Sequence, residues 1–237
     1  MYQELPSSGV DEPVTSREQD AVRILLLIDG ACEPVNDVER ADPRLAEAVG
    51  VLRTQVLLQK LDFWLRNPDY LADELLTEYE ENKDSSLLTH AATILDSEEP
   101  EVRRYPMLRH HFGAYEPLED ALAVLRSANL VVQRRRGTVN RVRQYDYFLL
   151  RAGRTVAREV IREAPAFQYY IDRIRLVLML AGGLGGSQLK MRQYLQAEYA
   201  DAVRGERIGS VAARARMRLE KLREQAQVAE ARMSKHD

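Results

Sequence analysis

Apolar positions recur every three to four residues through most of the chain, the period of an amphipathic helix, and give way to strand-like patterning in one stretch. Ser16 followed by Gln19 forms a capping-box pair that opens a helix through about Ile28, with Ala21, Val22, Leu25 and Leu26 on its core face. Ala31–Pro43 is acidic and proline-containing, and reads as a loop. A second helix is predicted from about Leu45 to Arg66. Asn67 then caps a third over Asp69–Glu80, with Pro68 in its first turn. Leu87–Leu95 predicts another short helix. Tyr105–Phe112 reads as a short strand or extended lead-in, and Leu118, Leu122 and Leu125 mark a helix that runs through Ser127.

There the pattern changes. Leu130–Val132 begins a strand, Gly137-Thr138 marks a turn, and Val139–Leu150 returns as a second strand rich in Tyr, Phe and Val. Helices resume with Arg151–Glu163 and Phe167–Leu180, break at Gly182–Gly186, and restart behind a Ser187 cap. In the terminal helix Ala212, Ala215, Leu219, Leu222, Ala226, Ala229 and Met233 alternate three and four apart, the spacing of a coiled-coil seam. Leu219, Leu222, Ala226, Ala229 and Met233 are therefore the candidate oligomerisation residues, for a homodimer or a protein partner.

The run of helix, strand, basic turn, strand and helix is carried by Phe112-Gly-Ala-Tyr115, the helix Leu118–Leu130, and Tyr147-Phe-Leu-Leu-Arg-Ala-Gly153-Arg-Thr-Val-Ala. It resembles the bacterial winged-helix family, although Leu150 stands where that family commonly has Thr. The resemblance implies a mainly α fold with a small β-hairpin wing. It places a winged-helix domain over 16–163, behind a polar tail at 1–15. A helical extension over 164–208 and an amphipathic terminal helix over 209–237 follow. It also implies double-stranded DNA as a partner. Motifs of this kind are patterns of core residues, so they specify fold far better than function.

Composition bounds the rest. With 237 residues, 45% hydrophobic and 30% charged, the chain can bury a core and has no apolar run near membrane length. No secretory leader is visible, and the single Cys32 suits a reducing compartment, so a cytoplasmic location without a membrane partner is expected. The net charge of −3 hides a split. Residues 1–100 carry 8 basic and 22 acidic side chains, a net of −14, whereas 101–237 carry 26 and 15, a net of +11. An acidic half suits solubility or a protein partner, and a basic half suits a polyanion.

Between Gln133 and Gln144 stand Arg134, Arg135, Arg136, Arg141 and Arg143, with no acid among them. Like charges held within about 10 Å repel, and a phosphate backbone would relieve that repulsion with release of counterions. Alternation puts Arg134 and Arg136 on a shared strand face, and likewise Arg141 with Arg143. Arg151, Arg154, Arg158 and Arg162 form a stripe on the next helix, which brings Arg151 and Arg154 into the candidate nucleic-acid surface. Against base reading stand Glu116, Glu119 and Asp120, at the head of the helix that would enter the major groove. Two functions follow. One is a DNA-binding transcriptional regulator, or the DNA-contacting subunit of a genome-maintenance or defence complex. The other is an adaptor that uses the winged helix and the terminal helix to assemble a protein complex.

Signals for chemistry are thin. Pro68-Asp69 with Glu81-x-Lys83 has loose nuclease spacing, but the carboxylates fall on helix ends rather than on adjacent strands. Gly182–Gly186 lacks the Lys-Ser/Thr of a phosphate loop, and adjacent His110 and His111 cannot easily share one metal. No Gly-x-Ser-x-Gly elbow exists. No enzyme activity, cofactor or metal is expected.

Overall fold

The computed structural model describes residues 16–99, 107–110, 113–115, 118–138, 141–203 and 206–233. The expected tail at 1–15, together with His111, Phe112, Glu116 and Pro117, lies outside the described residues.

The chain is mainly helical, with one small antiparallel sheet of three strands. Helix α1 (Arg17–Ala31) starts at the Ser16–Gln19 capping box and is buried on nearly all sides from Ile24 to Ile28. A one-turn helix, α2 (Asp37–Arg40), and a 3-10 turn (Pro43–Leu45) interrupt the expected loop. Strand β1 (Ala48–Arg53) follows, then α3 (Gln55–Arg66), α4 (Pro68–Asn82) and α5 (Ser85–Leu95). Strands β2 (Leu108–His110) and β3 (Gly113–Tyr115) pair with each other. Helix α6 (Glu119–Ser127) leads into the hairpin of β4 (Val131–Thr138) and β5 (Arg141–Leu150). Helices α7 (Arg151–Glu163), α8 (Gln168–Ala181), α9 (Gly186–Tyr194), α10 (Ala197–Ala200) and α11 (Ala212–Met233) complete the order.

The single helix expected from Leu45 to Arg66 is two elements. Ala48-Val-Gly-Val-Leu-Arg53 pairs with β5 and is buried on both faces, so its apolar run carries no alternation to separate strand from helix. Thr54 ends it with φ of 73°, a conformation that β-branched residues rarely adopt, and its hydroxyl then caps α3 at Leu57 N. Asn67 stands at the N-cap of α4 with Pro68 in its first turn, as expected, but its side chain makes no cap bond and donates its amide to Phe63 O. One expected cap differs: Gly185, not Ser187, stands at the N-cap of α9.

The sheet order is β1-β5-β4, which places the strand after α1 beside the second strand of the hairpin. Alternation divides the sheet into two faces. Leu52, Val131, Tyr147 and Leu149 join the main core, whereas Ala48, Val51 and Phe148 pack with Val35 and Leu45 in a second small cluster. The main core runs without a break from Ala21 to Leu222, so the segments expected as extensions are built into it. Gly153, in the first turn of α7, lets that helix lie against the strand lead-in: a Cβ there would sit 2.3 Å from the Leu130 carbonyl oxygen. Leu219 and Leu222 of the expected seam are buried in this chain's own core, with Ala226 half-buried and Ala229 exposed. α11 packs along α4 and α5, and Asp69 accepts from Ser210 Oγ at 2.8 Å and Val211 N at 3.0 Å just before its start. Two of the candidate oligomerisation residues are thus already occupied within the chain. The side chain of Met233 lies outside the described residues.

Candidate interaction surface on the arginine hairpin

The hairpin forms where the sequence predicts it, and Arg134, Arg136 and Asp146 fall on the face opposite the main core, with Arg135 on the other face. The register sets Arg53 on β1 across from Asp146 on β5, and Asp146 across from Arg134 on β4, with Arg136 opposite Gln144 at the next rung. Because side chains alternate, these residues continue the face made by Val51, Phe148 and Val132. Gly137, at φ of 136°, absorbs a register shift beside Arg136.

The arginines on this face have carboxylates beside them. Arg136 reaches Glu39 Oε1 at 2.5 Å, and its Nε lies 2.5 Å from Asp146 Oδ2, close enough for ion pairing though out of line for a hydrogen bond. Arg134 lies 3.7 Å from Asp42. Arg53 donates to both oxygens of Glu39 at 2.8 and 3.2 Å, and also to Glu33. Asp146, fully buried, accepts further from Gln144 and from Thr54 N at 3.3 Å.

The stripe on α7 follows the same rule. Arg151 pairs with Glu47 at 3.0 Å, and Arg154 with Asp29 at 2.9 Å and with Cys32 Sγ at 3.2 Å. Arg135 and Arg158 are exposed and make no ion pair among the described residues. The side chains of Arg141 and Arg143 lie outside the described residues.

The expectation of an unrelieved cluster of positive charge is therefore corrected for Arg134, Arg136, Arg151 and Arg154, because the acidic N-terminal half supplies the counter-charge from inside the chain. The electrostatics agree. Hydrogen bonds from Arg53 hold the Glu39 carboxyl below the usual range despite its burial. Asp42 is held at about 2, first by the Arg44 side chain and backbone and then by the nearby charges of Arg44 and Arg134. Burial pushes the Cys32 thiol up, so it is poorly suited to act as a nucleophile.

Glu39, Asp42 and Arg53 could not be tied to the hairpin from sequence, since nearly a hundred residues separate Glu39 from Arg136. Asp146 left a trace: an acid inside a strand of Tyr, Phe and Leu is rarely buried without a partner. Helix α6 presents Glu119 and Asp120 to solvent at its first turn, as expected, and Arg126 is tied to Gln133 at 2.6 Å. Among the described residues, no group of three or more His, Cys, Asp or Glu could hold a metal ion, and no helix is long and apolar enough to cross a membrane. No family model, no curated protein and no solved structure matches the chain.

Proposed function

We propose that the chain is a protein–protein adaptor built on a winged-helix arrangement, acting by contact rather than by catalysis. Support for the arrangement comes from the order α1, β1, α3, α6 and the β4–β5 hairpin, with β1 hydrogen-bonded to β5. On this reading α4, α5 and the β2–β3 pair are an insertion between the second and third helices. The observation that carries the adaptor reading is the internal neutralisation of Arg134, Arg136, Arg151 and Arg154, the positions a phosphate backbone would need. The acidic first turn of α6 adds to it.

The test is co-purification of the full chain with the products of neighbouring genes, alongside mobility-shift titration on duplex DNA at rising salt. The adaptor reading expects a stable complex with one such product and no salt-dependent shift. A steep salt-dependent shift without any protein complex overturns it.

A second reading rests on a different observation: Arg135 and Arg158 remain exposed and without an ion pair among the described residues. It makes the protein a DNA-binding regulator or the DNA-contacting subunit of a genome-maintenance or defence complex. It expects Arg135→Ala to lower the salt slope by about one phosphate contact.

A further inference from the structure

The partners of the arginine face share an origin. Asp29, Glu33, Glu39, Asp42 and Glu47, which meet Arg154, Arg53, Arg136, Arg134 and Arg151, all lie within one stretch of nineteen residues. From Glu33 onward this strap crosses the outer face of the sheet with little regular structure of its own, one turn of helix and one 3-10 turn. Val35 and Leu45 anchor it against Ala48, Val51 and Phe148, and backbone bonds pin its ends: Glu33 N donates to Val51 O at 3.0 Å, Val51 N to Glu33 O at 2.9 Å, and Arg151 N to Glu47 O at 2.9 Å. The main core lies on the other side of the sheet, so lifting the strap leaves that core covered.

Lifting it would also leave no buried charge stranded. Asp146 keeps Thr54 N, Gln144 and Arg53, whose NH1 lies 3.8 Å away. Glu39 departs with the strap into water. Arg134, Arg136 and Arg151 are 38%, 45% and 72% exposed in their pairs, and pairs so open to solvent are individually weak.

From this we infer that the strap is a resident stand-in for an acidic segment of a partner protein. That segment would carry two aliphatic anchors flanking its carboxylates, as Val35 and Leu45 flank Glu39 and Asp42, and docking would displace the strap from the arginine face. A polypeptide suits the seat better than a phosphate backbone does. The seat is recessed enough to bury Glu39 to 4% exposure, and its floor carries the carboxylate of Asp146, which a polyphosphate would have to approach. The class of partner rests on the adaptor reading; the displaceable strap does not.

The probe is a fluorescent peptide with the sequence of residues 31–48, added to the full chain and followed by anisotropy. Wild type binds it weakly, because its own strap competes. Glu39→Gln with Asp42→Asn binds it about ten-fold more tightly, as expected when the competent state is no longer a small fraction of the population. Arg134→Ala with Arg136→Ala, added to that pair, removes the gain. Equal affinity of wild type and the strap variant overturns the proposal. A gain seen with a 20-bp duplex but not with the peptide overturns the polypeptide occupant and gives its place to nucleic acid.

Should the strap variant fail to fold, hydrogen exchange of residues 33–47 in wild type decides. Faster exchange with saturating peptide supports displacement, and unchanged protection overturns it. A failure here leaves co-purification with a neighbouring gene product intact at some other surface, so the two readings fail separately.

Discussion

Two arginine–carboxylate pairs in this protein have similar geometry and opposite surroundings. Arg23 of α1 meets Asp62 of α3 at 2.8 Å, with both side chains at 3% exposure or less. Arg136 of the hairpin meets Glu39 of the strap at 2.5 Å, with the arginine 45% exposed. The first pair lies between two core helices, where Arg23 also meets Asp20 of its own helix and Arg66 NH1, 4.0 Å from Asp62, adds a second buried cation. The second lies on an open sheet face where each buried group has other partners. Solvent, rather than distance, decides which pair is architecture and which can be exchanged: a buried charge that loses its partner stays desolvated, whereas an exposed one rehydrates.

The largest effect should come from breaking the inner pair. Asp62→Ala removes the buried carboxylate that Arg23 and Arg66 share, leaving Arg23 with the more exposed Asp20, and is expected to cost about 4 kcal/mol of unfolding free energy. Urea denaturation measures it; a loss below about 1 kcal/mol would erase the contrast with the hairpin. Next is Leu219→Ala, which opens a cavity where α11 packs along α4 and α5 and should cost about 3 kcal/mol. Sedimentation of a folded fraction of that variant should show an unchanged association state, because Leu219 faces inward. The outer pair gives a smaller number: Arg136→Ala should cost about 1 kcal/mol or less, since Glu39 keeps Arg53, and Asp146 keeps two donors, Thr54 N and Gln144, with the Arg53 cation 3.8 Å away.

The same contrast explains what could be read from the chain. Periodicity finds elements whose two sides differ. It located α1, the hairpin and α7, whose start at Arg151 and end at Glu163 match the structure. It failed at Ala48–Arg53, where both sides are covered, one by helices and the other by the strap. The seam of α11 was correctly spaced, but spacing cannot say whether Leu219 and Leu222 face a second chain or their own, and here they face α4 and α5. The arginine cluster was visible as composition. Its neutralisation was not, because it depends on which residues the topology brings onto one sheet face, and the Glu39–Arg136 contact exists only after β1 has paired with β5.

The smallest effect is also the most discriminating, because it moves the strap alone. The Asp42 and Glu39 carboxyls titrate below their ordinary values of 3.8 and 4.5, Asp42 at about 2. A group whose folded value is depressed contributes stability that is present above its unfolded value and lost as pH falls through the folded one. The strap should therefore loosen as pH drops from about 4 toward 2. Asp42 faces Arg44 of the strap and Arg134, and Glu39 faces Arg53 and Arg136, which it shares with Asp146, so protonating the pair frees Arg134 and Arg136 from the strap while Arg53 keeps Glu33. Amide resonances of residues 33–47 should shift across that window before the fluorescence of Trp64, which is fully buried in the main core, responds. Glu39→Gln with Asp42→Asn should abolish this early step. If strap and Trp64 respond together at one pH, the strap is part of the core's cooperative unit, and the two classes of arginine pair are one.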